Sequence, residues 1–223
     1  NCDAMGPMTG VGAPAIATGY DVLVPSLSVF NSWNSRDYRK AVSFDTAVLF
    51  AGNVLKDYTQ WPIPRPHIAK FTRYPGKDAS YDGSNSSLNY MLMRYAEVLL
   101  IAAEASAEVN NGPTAEAIGY VNQVRARARN WAGNITSYPA DVTAGLSKDA
   151  FIDLVLEERR FELAFEFKRW YDIKRRKLGE KVFKGSNSLE PHTNFDASRD
   201  YLFPIPASEL DINPNLQPQN PGY

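Results

Sequence analysis

The chain has 223 residues, 44% of them hydrophobic, and its 24 Lys and Arg nearly balance its 25 Asp and Glu. This is enough apolar material for one large or two small globular domains. A net charge of −1 gives no electrostatic signature of nucleic-acid binding, and the longest apolar stretch, residues 98–103, is too short to span a bilayer. A single cysteine, Cys2, excludes an internal disulfide framework.

The distribution of proline divides the chain into three regions. Only Pro113 and Pro139 of the 15 prolines lie between residues 90 and 190. Because proline interrupts helices, residues 1–89 are predicted to be rich in loops, with short helices and a hairpin, and residues 90–179 to be helical. Residues 180–223 are predicted to form an extended, Pro- and Asn-rich tail that packs on the helices.

The central region predicts three helices. The first spans about 93–109 and ends before an Asn-Asn-Gly-Pro segment. The second begins after a Thr114 cap and continues to about residue 129, so the short connector predicts an antiparallel pair. The third and longest is predicted from a Ser147 cap to Leu178, before Gly179. The evidence for the first helix is the helical spacing of Tyr95, Val98, Leu99, Ala102, Ala105 and Val109.

Charged side chains interrupt the apolar stripe of the third helix. An unpaired charge there would cost several kcal/mol, on the order expected for a buried ion, so we expect the charges to pair across helices. The predicted structural ion-pair network comprises Arg94, Glu97, Arg125, Arg159, Glu162, Glu166 and Arg169. The alternative is that Glu162 and Glu166 are the acid and base of a glycosidase. Scaffolding is the preferred interpretation, because catalytic carboxylates usually lie on loops or strand ends.

Aromatic residues in the loop-rich region form the second candidate site. Exposed rings can stack on the apolar face of a sugar, and Tyr20, Trp33, Trp61 and Tyr81 are the predicted glycan contacts. The alternative is that such rings fill a core that has few aliphatic side chains. The two histidines have no metal-ligand spacing, and no nucleotide-binding loop is present, so neither a metal nor a cofactor is expected.

Five sequence blocks together resemble the C-terminal half of the SusD/RagB family of outer-membrane nutrient-binding lipoproteins. The blocks are RYAEVLLIAAEA at 94–105, YVNQVRARA at 120–128, ERRFELAFEFKRWYDIKR at 158–175, LFPIPASEL at 202–210 and NPNLQPQNPGY at 213–223. A further segment, SRDYRKAVSF, resembles the Asp-x-Arg segment of the family more loosely. On this resemblance the chain is a C-terminal portion, and Cys2 is an internal thiol rather than an acylated N-terminus.

The resemblance implies a mainly α protein with a tetratricopeptide-like helical scaffold and a loop-rich subdomain that carries the ligand site. It also implies a non-catalytic role at the cell surface, with a lipid anchor in the outer membrane. The protein would capture an oligo- or polysaccharide and deliver it to a SusC-like TonB-dependent transporter. Two alternatives stay open: peptide capture, as in the RagB branch of the family, or hydrolysis by Glu162 and Glu166.

Overall fold

The computed structural model describes residues 5–13, 17–50, 52, 54–71, 90–131 and 133–223. These residues form two compact units, one within residues 1–169 and one within residues 170–223. Helices predominate and the strands are short, so the mainly α prediction is confirmed. No helix in these described ranges is long and apolar enough to cross a bilayer.

The described part of the loop-rich region contains short helices and small antiparallel ladders. The helices are α1 (Met5–Thr9), α2 (Leu27–Ser32) and α3 (Tyr38–Ser43). The ladders pair β1 (Gly12–Ala13) with β2 (Ala17–Thr18), β3 (Phe44–Asp45) with β6 (His67–Ile68), and β4 (Ala47–Phe50) with β5 (Val54–Asp57). The β4–β5 ladder is the predicted hairpin, and a 3₁₀ turn, Tyr58–Gln60, follows it.

Three longer helices build the core of the first unit. They are α4 (Tyr95–Val109), α5 (Ala115–Arg129) and α6 (Lys148–Glu162), and α4 packs against both of the others. A two-residue ladder of β7 (Asn130–Trp131) and β8 (Asn134–Ile135) follows α5. Both predicted caps are confirmed, because Thr114 Oγ1 accepts from the Ala117 amide and Ser147 Oγ accepts from the Ala150 amide.

The first predicted helix is confirmed as α4, but the residues whose spacing indicated it do not all lie on its buried face. Tyr95, Val98 and Val109 are exposed, whereas Leu100 and Ala103 are fully buried. Helix α4 is apolar around most of its circumference, so periodicity alone does not identify the buried face. Packing against α5 and α6 selects the face with small residues, where the helices can approach closely.

The third predicted helix is two helices rather than one. Helix α6 ends at Glu162, and a turn with positive φ at Phe165 (+66°) and Phe167 (+58°) precedes α7 (Arg169–Arg175). Positive φ is costly for an aromatic residue and must be offset by contacts. The Phe165 ring packs edge-on against Phe44 at 5.1 Å, which is one such contact.

The second unit contains α7 from Trp170 onward, a π-helical turn, α8 and a final 3₁₀ turn. The π-helical turn spans Glu180–Lys184, α8 spans Ala207–Ile212, and the 3₁₀ turn spans Pro214–Leu216. The predicted tail is therefore not extended throughout. The side-chain amide of Gln219 pairs with both backbone groups of Ile205 at 2.8 Å, which holds two tail segments together.

The close packing at Gly179 predicts that an added methyl group there destabilises the protein. A Cβ at Gly179 would overlap the Phe195 ring and lie 2.8 Å from Tyr201 Oη. We expect Gly179→Ala to lower the free energy of unfolding by about 2 kcal/mol, measured by urea denaturation.

Gly119 is the matched control, because it lies inside α5 and a Cβ there meets no atom within 4 Å. Gly119→Ala should raise the free energy of unfolding by about 1 kcal/mol through helix propensity. Equal effects of the two substitutions would contradict the packing described at Gly179.

Candidate functional site

A cleft of about 240 Å³ lies in the first unit, where the end of α6 meets the loop-rich region. It is lined by Arg39, Val42, Ser43, Lys70, Phe71, Tyr90, Met91, Arg94, Arg127, Phe161, Glu162 and Glu166. Its walls thus combine aromatic and aliphatic side chains with both signs of charge. This combination of an apolar pocket with a few charged groups is typical of a ligand site.

Three glutamates spaced four residues apart form the acidic part of this region. Glu158 and Glu162 lie one turn apart on α6, and Glu166 lies in the turn that follows. We call these residues, their cationic partners and Asp37, which pairs with Arg39, the charge cluster. It comprises Asp37, Arg39, Lys70, Arg94, Arg125, Arg127, Glu158, Glu162 and Glu166.

Glu162 is the centre of the charge cluster. Arg127 Nη2 donates to both carboxylate oxygens of Glu162 at 2.6 and 2.7 Å. Arg94 Nη1 donates to Oε1 at 3.0 Å, and Arg39 Nη1 donates to Oε2 at 3.3 Å. Three guanidinium groups from different elements therefore surround one carboxylate whose side chain has no exposed area.

The other two carboxylates are paired in the same way. Glu158 accepts from Arg39 Nη1 and from Arg125 Nε, each at 2.7 Å. Glu166 accepts from Lys70 Nζ at 2.6 Å and from two nitrogens of Arg94 at 2.9 Å. Bidentate pairing of this kind fixes both the position and the orientation of the side chains.

The same cations cap the C-terminus of α6. The Glu162 carbonyl oxygen accepts from Arg94 Nη2 at 2.8 Å and from Lys70 Nζ at 3.2 Å. The last carbonyls of a helix lack partners within the helix, and cations interact favourably with that end of its dipole. Arg94 and Lys70 therefore help to explain why α6 ends at Glu162.

Arg39 is oriented by its own local motif. Asp37 caps α3 by accepting from the Arg39 amide, and the same carboxylate accepts from Arg39 Nε and Nη2. Burial by itself would lower the pKa of the Arg39 guanidinium, but the carboxylates of Asp37 and Glu158 outweigh it and raise that pKa. The guanidinium is therefore held charged inside the protein.

The structure brings together four residues of the predicted network: Arg94, Arg125, Glu162 and Glu166. Two others lie next to each other, since Arg159 Nη2 is 3.4 Å from Glu97 Oε1. Arg169 is half-buried at the start of α7, and its membership stays a prediction.

Sequence reasoning missed Lys70 as a partner of Glu166. It also missed Arg39, which pairs with Asp37, as a partner of the glutamates of α6. The Asp-x-Arg segment was the available signal for Asp37 and Arg39.

The predicted aromatic contacts lie in different environments. Trp33 and Trp61 are only 2% and 4% exposed, so as placed they fill the core rather than offer a face to a sugar. Trp33 packs against Phe44 and Phe161. Tyr20 is 63% exposed and stays a candidate contact. Tyr81 lies outside the described residues.

The electrostatics of Glu162 determine what chemistry the site can perform. Burial raises the pKa of its carboxyl group, but Arg127, Arg94 and Arg39 outweigh burial and hold that pKa below its ordinary value. A general acid needs the opposite shift, and a general base needs a free lone pair facing the substrate. The geometry suits a structural anion rather than a catalytic one.

A metal ion requires several ligand side chains that lie close together. Among the residues that the structure describes, no group of three or more His, Cys, Asp or Glu side chains could hold a metal ion.

Replacing Glu162 by glutamine should destabilise the protein strongly. Glu162→Gln leaves Arg39, Arg94 and Arg127 without the buried anion that they share, so we expect the free energy of unfolding to fall by about 3 kcal/mol in urea denaturation. Glu157→Gln on the same helix is the control, because its pair with Arg160 is exposed on the glutamate side and is worth less than about 1 kcal/mol. A smaller loss for Glu162→Gln than for the control would contradict the structural role.

The lowered pKa of Glu162 also predicts acid sensitivity. A carboxyl group with a depressed pKa stabilises the folded state above its ordinary pKa of 4.5 and loses that contribution as the pH falls through its folded pKa. We therefore expect the free energy of unfolding to decrease as the pH falls below about 4.5. This decrease with falling pH should be shallower in Glu162→Gln than in the wild-type protein. Urea denaturation at several pH values measures it, and the same pH dependence in both proteins would contradict a lowered pKa for Glu162.

Comparisons with known proteins agree with this architecture. A sequence model of the SusD family matches residues 50–223. SusD-like protein P2 of Formosa agariphila is 50% identical over 99% of this chain, and the match covers 45% of that relative. The chain thus spans about half the length of this curated relative.

Solved structures show the same fold. A SusD superfamily protein of Parabacteroides distasonis aligns with a TM-score of 0.69 and 28% identity, over 98% of this chain and 45% of its own. Surface glycan-binding protein A of Bacteroides uniformis aligns with a TM-score of 0.66 and 25% identity, over 99% of this chain and 47% of its own. The predicted tetratricopeptide-like scaffold is confirmed, and the chain belongs to the SusD family.

Proposed function

We propose that this chain is part of a non-catalytic, cell-surface glycan-binding protein, which captures oligo- or polysaccharide by equilibrium binding. The observation that carries the proposal is the state of Glu162 and Glu166, whose carboxylates are buried and paired with cations. Similarity to a surface glycan-binding protein over 99% of the chain supports the ligand class.

The chemistry that glycoside hydrolysis requires supports a non-catalytic role. Hydrolysis needs one protonated carboxyl group to donate to the leaving oxygen and a second, accessible carboxylate to act as nucleophile or base. Glu162 has no exposed side-chain area, and Arg94 binds both carboxylates at once. Neither glutamate can approach an anomeric carbon without leaving its ion pairs.

Tyr20 is the ring that we propose as a glycan contact within the described residues. Asp21, next to it, has φ of +52°, and its Oδ1 accepts from the Gly12 amide at 2.7 Å. His67 Nε2 lies 2.7 Å from the same oxygen. These contacts anchor the backbone beside Tyr20, which lowers the entropy cost of presenting an exposed ring to a sugar.

Family membership supports a wider role for the whole protein. We propose that it is lipid-anchored on the surface of the outer membrane and delivers its glycan to a SusC-like TonB-dependent transporter. Membership of the SusD family supports this assignment. Weak binding would suit such a role, because a captured glycan must also be released.

Isothermal titration calorimetry against neutral and acidic oligosaccharides and oligopeptides tests the proposal. We expect saturable binding of at least one glycan, and Tyr20→Ala should weaken it by on the order of tenfold through loss of stacking. Tyr171→Ala is the control, since Tyr171 is similarly exposed but lies on α7.

Two outcomes would overturn the proposal. Saturable peptide binding without any glycan response would favour the peptide-capture alternative. Release of new reducing ends from a bound glycan, abolished by Glu166→Gln in a folded variant, would establish a glycosidase.

A further inference from the structure

The charges of the cleft are not equally accessible. The side chains of Arg127, Lys70 and Arg94 are 56%, 22% and 21% exposed. The carboxylate side chains beside them are more buried, with exposed fractions of 0% for Glu162 and 11% for Glu166. The cationic side chains that line the cleft are therefore more accessible than the two carboxylate side chains.

The accessible cations retain hydrogen-bonding capacity. Lys70 Nζ donates to the Glu162 carbonyl and the Glu166 carboxylate, which uses two of its three hydrogens. Arg127 donates to Glu162 through Nη2 and to Tyr38 Oη through Nη1. Among the described residues its Nε has no partner, so it can donate to a ligand.

The net charge of the charge cluster is also positive. Five cations, Arg39, Lys70, Arg94, Arg125 and Arg127, face four carboxylates. The carboxylates are those of Asp37, Glu158, Glu162 and Glu166.

Burial is the main influence on Lys70. It lowers the pKa of the Lys70 ammonium group, the Glu166 carboxylate partly opposes it, and Arg94 adds a smaller lowering effect. An additional anion in the cleft would offset this unfavourable environment.

The cleft also has apolar lining residues, and its volume suits one sugar ring. Phe71, Tyr90, Met91 and Phe161 provide aromatic and thioether surfaces. Drug-sized ligands occupy pockets of about 300–1,000 Å³, so a cleft of about 240 Å³ suits a single residue of a glycan rather than a longer segment. A cleft lined by both apolar side chains and cations fits a ring that carries an anionic substituent.

We infer that this cleft binds an acidic sugar residue, with the carboxylate of a uronic acid or a sulfate ester held by Lys70 and Arg127 and the ring placed against Tyr90 and Phe71. This inference rests on the proposed glycan-binding function and narrows its ligand class to anionic glycans. Arg94 contributes positive charge while it keeps its bonds to Glu162 and Glu166.

Three monosaccharides of matched ring structure test the inference: glucose, glucuronate and glucose 6-sulfate. The full chain, labelled at its methionine methyl groups, is titrated with each sugar by NMR, and Met91, a wall residue, reports binding in the cleft. We expect at least one acidic sugar to shift the Met91 signal with about tenfold higher affinity than glucose. The two acidic probes distinguish a carboxylate from a sulfate as the recognised group.

Arg127→Gln should remove most of this preference, and Arg129→Gln on the same helix is the control, since Arg129 pairs with Asp141 and does not line the cleft. If Arg127→Gln does not fold, a salt titration of the wild-type protein replaces it. Raising the salt from 50 to 500 mM, which shortens the screening length from about 14 to about 4 Å, should weaken acidic sugars several-fold and leave glucose unchanged.

Each result has a distinct meaning. Equal affinity for glucose and both acidic sugars at Met91, or a preference unaffected by Arg127→Gln and by salt, overturns the inference but leaves glycan capture intact. Failure of all three sugars to shift Met91, while oligosaccharides still bind elsewhere by calorimetry, overturns the cleft assignment alone. If no glycan binds in either experiment, both the inference and the proposed glycan-binding function are overturned.

Discussion

The fold of the first unit depends on how three carboxylates are neutralised inside it. Glu158, Glu162 and Glu166 would be prohibitively costly to bury alone, and each is balanced by guanidinium or ammonium groups from other segments. Buried ion pairs of this kind add little net stability compared with apolar contacts, but they restrict how the helices and loops of the first unit can be arranged. Any arrangement of the helices that separates the partners leaves a buried charge unpaired.

The parts of the structure that the sequence predicts are those governed by local physics. Thr114 and Ser147 were identifiable as caps because a cap involves a hydroxyl group and an amide three residues away. Glu162 and Glu166 interrupt the apolar stripe of the third predicted helix, and this pattern predicted that they pair with cations. The partner Lys70 was not predictable, because it lies 96 residues from Glu166 and follows no local rule.

Other features depend on tertiary context. The positive φ of Phe165 and Phe167 carries no turn signature, since neither glycine nor asparagine occupies those positions, and the helical pattern simply continues through them. Trp33 and Tyr20 are both aromatic residues in loop-rich sequence, but one is buried and the other exposed. Composition alone could not separate a ring that packs in the core from one that faces solvent.

The long sequence separations within the charge cluster have a consequence for how the chain folds. The bond from Arg39 to Glu158 joins residues 119 positions apart, so a large loop must close before it forms. Non-local contacts of this kind raise the contact order and slow folding. Intermediates that bury α6 before residue 39 arrives would carry uncompensated charge, so the cluster favours cooperative assembly and disfavours collapsed, half-formed states.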